Sequence, residues 1–235
     1  MMNIRLLFTL CAISLMLVSC SKDDLDDAFM SDNEMGQLLA GEKDAYVVVG
    51  DDHGIYCELT DDLERKWLLD KRTDTQFAKG RARISYQLYS GQIQGFDVLA
   101  RLNTIIYYNT TDAVVSPTAA ELEAMGNDPI TISNAHISEN GKWIDIDFQV
   151  FTVNATGGSH ELSLAVIPEG DDYYCVLYHK GQNVVHGSML LFGNVSFILP
   201  DEVNPVKRGK EGIQLYYIDL LNVRHNLYLI PNRTN

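Results

Sequence analysis

The stretch Trp143-Ile144-Asp145-Ile146-Asp147-Phe148-Gln149-Val150-Phe151 decides the fold. Ile144, Ile146, Phe148 and Val150 alternate with Asp145, Asp147 and Gln149. A β-strand points successive side chains to opposite faces, so this period of two sets one apolar face toward a core and one polar face away from it. Around it lie further short apolar runs, at 130–137, 160–167, 173–179, 187–199, 212–219 and 226–230. Turn signals separate them: Asn140-Gly141, Gly157-Gly158, Gly170-Asp171-Asp172, Lys180-Gly181 and the segment 222–225. Seven short strands at this spacing predict a β-sandwich over residues 127–235. The Cys…Trp…Cys pattern of antibody domains is absent, so the sandwich is Ig-like in architecture only.

Upstream, Ser116-Pro117-Thr118-Ala119-Ala120-Glu121-Leu122-Glu123-Ala124-Met125-Gly126 reads as a short helical connector over 116–126, with Ser116 as N-cap, Pro117 in the first turn and Gly126 past the end. Before it, residues 41–115 carry strand patterns at 45–49, 55–59, 81–89, 96–102 and 105–108. In the third of these Ala82, Ile84, Tyr86 and Leu88 share one face, while Arg81, Arg83, Ser85 and Gln87 share the other. Five short strands predict a small barrel of the OB type. Residues 61–79 look irregular, with Leu63 and Trp67 spaced to share a helical face. The fold class is therefore all-β, a small OB-like barrel followed by an Ig-like sandwich. The capped connector between two strand blocks predicts separable domains.

The first residues read as an export signal. Arg5 supplies a positive charge, and residues 6–18 form an apolar run broken only by Thr9 and Ser14. That run is too short to span a bilayer, which takes about 20 apolar residues. It ends in Leu17-Val18-Ser19-Cys20, which resembles a bacterial lipobox. The resemblance implies removal of residues 1–19, then a thioether to diacylglycerol and acylation, palmitate included, on Cys20. Several acyl chains make a stable anchor. Residues 20–40 begin with Ser21-Lys22-Asp23-Asp24-Leu25-Asp26-Asp27 and form an acidic, solvated tether. Ser-Lys-Asp-Asp is similar to the acidic export signal of Bacteroidetes lipoproteins, which implies the outer face of the outer membrane.

The chain holds 235 residues, 18 Lys+Arg against 32 Asp+Glu, a formal charge of −14 and 46% hydrophobic residues. The apolar fraction excludes a disordered chain. The acidic balance argues against a broad grip on nucleic acid or anionic lipid, so no nucleic-acid partner is expected. Cys57 and Cys175 fall in different blocks, which favours two buried thiols over a bridge.

Gly126-Asn127-Asp128-Pro129-Ile130, at the entry to the second block, resembles a segment of NigD-like lipoproteins from Bacteroidetes. The layout of lipobox, acidic tether, small barrel, connector and sandwich is similar too, as is the closing pair of strands over 212–230. The resemblance implies an N-terminal OB domain, a C-terminal β-sandwich and no established catalytic residues. The family's name comes from a bacteriocin-associated operon, which implies an immunity or peptide-related role. The chain departs from the family pattern at 61–79.

No residue constellation points to catalysis. The histidines His53, His136, His160, His179, His186 and His225 form no H-x-x-x-H pair, and no C-x-x-C occurs, so no metal or other cofactor is expected. Asp51-Asp52, Asp61-Asp62 and Asp171-Asp172 are adjacent acids in turns, where solvation is the ordinary role, and no D-x-D-x-D-G loop is present. Asp145 and Asp147, about 7 Å apart along one strand face, are expected to be solvated. Ser159 and His160 are neighbours on an extended chain and point apart. No phosphate-loop, dinucleotide or nucleophile-elbow motif occurs. The pairs Tyr107-Tyr108, Tyr173-Tyr174 and Tyr216-Tyr217 each place one ring inward and one outward on a strand. The expectation is a non-enzymatic, lipid-anchored lipoprotein of the outer membrane or cell surface that binds a peptide, protein or glycan. The rivals are a glycan-binding accessory of an uptake system, marked by coplanar exposed rings, and a hydrolase whose site converges only on folding.

Overall fold

The computed structural model describes residues 40–50, 56–70, 77–152, 160–181 and 189–231. The export signal, Cys20, nearly all of the tether, the turn with His53, Gly157 to Ser159 and His186 lie outside the described residues.

Strands β1 (Ala40–Gly50), β2 (Tyr56–Asp61), β3 (Lys66–Asp70), β4 (Gly80–Leu88) and β5 (Val98–Tyr107) close a barrel in the order β1-β2-β3-β5-β4. All its pairs are antiparallel except β3 with β5. Ala45, Val47, Cys57, Leu59, Trp67, Leu69, Ala82, Ile84, Ala100 and Leu102 fill its interior. The all-β class and the barrel-plus-sandwich architecture are as the sequence indicates.

The barrel's membership differs in two places. Leu63 and Trp67 do not share a helix: Trp67 lies on β3 and is buried, while Leu63 is exposed in the turn before it. Asp61 decides this. Its Oδ1 accepts the backbone N–H groups of Leu63 and Arg65 at 2.9 and 3.0 Å, and its Oδ2 accepts the Trp67 indole N–H at 2.9 Å. An aspartate bonding the backbone two residues on makes a tight turn and displaces a helix. The two runs at 96–102 and 105–108 form one strand, β5, which bends at a register shift opposite Ser85 and Tyr86.

After Tyr107 the chain joins the second body. β6 (Asn109–Asp112) pairs in parallel with β12 (Met189–Ile198), and β7 (Val114–Val115) pairs in parallel with β10 (His160–Glu169). The helix α1 (Ala119–Ala124) is capped by Thr118, not Ser116. Thr118 and Glu121 form a reciprocal capping box, and Ser116 instead takes a positive φ of 50°. The remaining strands are β8 (Thr131–Ile137), β9 (Trp143–Thr152), β11 (Asp172–Gly181), β13 (Ile213–Ile218) and β14 (Arg224–Leu229). One sheet runs β14-β13-β11-β10-β7 and the other β6-β12-β9-β8. Ile144, Ile146, Phe148 and Val150 of β9 lie in the core between them, with Leu164, Val166, Cys175, Leu177, Val195, Phe197 and Leu215. Cys57 and Cys175 are both buried and no disulfide joins them.

The segment Gly126 to Ile130 is a corner clip. Gly126 sits at φ 79°, and a Cβ there would stand 2.7 Å from the Lys180 Cβ and 2.9 Å from the His179 carbonyl. Asp128 donates its N–H to the His179 carbonyl and accepts the Gly181 N–H on its carboxylate, each in normal range at 2.8 and 2.7 Å. Pro129 offers its carbonyl to His179 Nδ1, and Ile130 is buried with its N–H on the Ile218 carbonyl. These residues fasten the connector to the end of β11 and start β8.

Candidate functional site at the barrel–sandwich junction

The polar faces read from β4 and β9 are turned toward each other. Arg81 and Arg83 project from β4, Asp145 and Asp147 from β9, Asp44 from β1, His136 from β8 and Ser196 from β12. Asp62 follows β2 and Tyr108 follows β5. Asp145 is 1% exposed and Arg81 0% exposed, so the expectation of a solvated acidic strand face is wrong. The barrel covers this part of the sheet, and a period of two cannot say what covers a polar face. Asp61 and Asp62, also expected in a solvated turn, are both buried.

The Arg81 guanidinium grips two carboxylates. It donates to both oxygens of Asp62, at 2.5 and 3.0 Å, and to Asp145 Oδ2 at 2.6 Å. Its plane also lies 5.3 Å from the centre of the Trp143 ring. Two-point contact of this kind suits the fixed fork of arginine. Arg83 donates to Asp147 at 2.9 Å, to Asp44 at 3.3 Å and to the Tyr108 hydroxyl. Tyr108 in turn donates to Asp44 at 2.8 Å. His136 Nε2 lies 2.7 Å from Asp44 and 3.4 Å from Asp145, and Ser196 donates to Asp145 at 2.5 Å. Lys43 adds a lateral tie, 3.5 Å from Asp61 and 3.7 Å from Glu139 of the β8–β9 turn.

The electrostatics follow from this packing. Burial works to raise the Asp145 carboxyl, but hydrogen bonds from His136, Arg81 and Ser196 and the Arg81 charge hold it at about 2. Burial works to lower His136, and the two carboxylates overcome it and lift the imidazole to about 9. His136 is therefore an imidazolium at neutral pH. Burial raises Asp62 against the pull of Arg81, and burial plus the Asp44 and Asp145 charges raise Tyr108. Arg81 and Arg83 are held above their ordinary value by their carboxylate partners, against burial.

Asp44, His136 and Asp145 place ligand atoms within 4.8 Å of one another. A metal here would have to displace the proton that both carboxylates hold on His136, and would share Asp145 with the Arg81 guanidinium. A metal ligand must be deprotonated, so the arrangement fits a bridging proton rather than a cation. Nor is it a catalytic triad. Ser196 donates to a carboxylate, not to an imidazole, and is fully buried.

Two clefts flank the ion-pair nest. The larger, about 660 Å³, is lined by Tyr46, Lys79, Tyr107, Asn109, Thr110 and Lys142, with Asp61, Asp62, Glu64 and Trp143 among its other walls. The other, about 450 Å³, includes Lys43, Asp44, Arg65, His136 and Glu139.

Other residues singled out in the sequence are engaged elsewhere. His160 Nδ1 and His179 Nε2 lie 2.9 Å apart with their rings stacked, and burial lowers both. His225 bonds Asp219 at 2.6 Å and stacks on Tyr217. Asp172 pairs with Arg208 and Lys210. Tyr173 and Tyr217 pack on the sandwich core, while Tyr174 and Tyr216 meet edge to face at 85°, which is not a coplanar platform. The sequence signal that could have exposed the nest was the pair of arginines on the polar face of β4, matched in spacing by the two aspartates of β9.

No family model and no curated protein matches the sequence. Solved structures do. A protein of unknown function from Bacteroides vulgatus aligns with a TM-score of 0.66 at 17% identity, over 84% of this chain and 93% of its own. A NigD-like immunity protein from Bacteroides caccae aligns at 0.56 and 14% identity, over 82% and 97%. A protein from Bacteroides fragilis named "putative lipoprotein" aligns at 0.54 and 11% identity, over 84% and 100%. None of these three is named as an enzyme. The chain has the fold of the NigD-like immunity protein and of these other Bacteroides proteins.

Proposed function

We propose that this protein is a lipid-anchored binding protein of the bacterial envelope, held through Cys20 and using the cleft between its two bodies as the binding site. The observation that carries the binding reading is the 660 Å³ cleft itself. Its size lies in the range of about 300–1,000 Å³ common to small-molecule sites, and such sites favour domain junctions. The ion-pair nest behind it supports a rigid frame. The likeness in fold to a protein named a putative lipoprotein supports a place at the envelope, and the likeness to a NigD-like immunity protein supports a bacteriocin-associated role there.

The anchor is tested by fractionation. Cys20→Ala is expected to leave the chain unprocessed or released from membranes, and normal processing with normal membrane retention in that variant removes the lipoprotein reading. The cleft is tested by screening the full chain, in detergent, against glycan and peptide arrays beside Asn109→Trp, which fills the cleft from exposed β6. Ligands lost in the variant support the site. Ligands bound equally by both, or none at all, refute it.

A further inference from the structure

We propose that the junction cleft binds an acidic saccharide, with Lys79 and Lys142 meeting its negative groups and the rings of Tyr46 and Tyr107 carrying its sugar faces. This rests on the binding reading above and names its ligand class. In a chain of formal charge −14, two lysines stand on the walls of one cleft. Among the described residues neither reaches a carboxylate within ion-pair distance. Lys142 lies over the Trp143 ring at 5.3 Å. The buried acids beside them are already engaged, Asp61 by Arg65, Trp67 and Lys43, and Asp62 by Arg81. Glu64 is the remaining carboxylate of the wall, at the exposed turn.

The rings are held in place before any ligand arrives. Tyr46 stacks on Trp143 with centroids 5.9 Å apart and planes 22° apart. The Tyr107 hydroxyl accepts the Ala78 N–H at 2.9 Å. Rigid aromatic faces pack against C–H surfaces with little loss of rotamer freedom. Asn109 and Thr110 are exposed on the same wall and supply amide and hydroxyl partners. Ile198 is the one aliphatic side chain larger than alanine on the lining, so the apolar surface that the cleft offers is chiefly aromatic. The overall negative charge repels a long polyanion such as nucleic acid far more than a short one carrying few charges.

The test is calorimetric titration of the full chain in detergent with trigalacturonate, a sulfated chondroitin disaccharide, uncharged galactotriose and an acidic hexapeptide. The expected result is binding of one of the two acidic sugars, at least tenfold tighter than galactotriose, weakening as salt rises. Lys79→Ala and Lys142→Ala should each reduce that affinity about tenfold, in line with loss of one charge-assisted hydrogen bond. Lys79→Arg should retain most of it. Both lysines are exposed, so unchanged denaturation midpoints will separate binding loss from misfolding. Binding of neither acidic sugar, equal affinity for galactotriose, indifference to both alanine variants, or preference for the hexapeptide overturns the proposal. A peptide or neutral sugar that Asn109→Trp excludes would still leave the cleft standing as a site.

Discussion

At the scale of single residues, Arg81 matters most. It is wholly buried and is the shared partner of Asp62 and Asp145. Removing one member of a buried ion pair leaves its partners charged and unpaired, which costs about 3–5 kcal/mol. Arg81→Met is therefore expected to lower unfolding stability by about that amount, read from urea denaturation; a loss below about 1 kcal/mol, the range of exposed pairs, would show that the nest is solvated. His136 sets a pH dependence. Its folded value of about 9 lies above the ordinary 6.5, so its contribution is complete below 6.5 and is lost as pH rises through about 9. Asp145, held at about 2 against an ordinary 3.8, contributes above 3.8 and loses its contribution as pH falls through about 2. The expected outcome is a decline in denaturation midpoint from pH 6.5 to 9, absent in His136→Gln. An equal decline in that variant would assign the alkaline limb to other groups.

At the scale of elements, the connector and its clip do the positioning. Gly126 combines a φ of 79° with contacts that leave no room for a Cβ beside Lys180 and the His179 carbonyl. Gly126→Ala is expected to destabilise the fold by about 1–3 kcal/mol, from left-handed strain plus the steric shift. Loss of the clip should also speed amide exchange at Gly181, whose N–H rests on Asp128. A neutral effect on stability and exchange would mean that the corner is pliable. The motif that carried the family resemblance is thus explained by backbone geometry and strand docking.

At the scale of the whole molecule, the two bodies share a buried charged interface. The capped connector suggests domains that separate, but Arg81, Asp62 and Asp145 bury one another across the junction, and β6 and β7 run directly from the barrel into both sandwich sheets. Buried charges lose their partners if either body opens alone. Unfolding is therefore expected as one transition, with tryptophan fluorescence and far-ultraviolet circular dichroism coincident. Trp67 reports on the barrel and Trp143 on the junction. Two resolved transitions in the unaltered chain would establish independent bodies.

Short apolar runs bounded by turn signals determined the seven later strands and the all-β class, and alternation determined the inward face of β9, because both are local properties that burial imposes on the sequence. The chain could also declare Gly126 as the end of a helix, since few residues tolerate a positive φ. It could not declare β3, where one aspartate side chain bonding the backbone outweighs helical spacing. Nor could it declare the nest. Asp44, Asp62, Arg81, His136 and Asp145 come from separate strands and turns, and a polar strand face has the same pattern whether water or another domain covers it. Only the tertiary fold decides that, by closing the barrel over the sandwich sheet and pairing the charges that it buries.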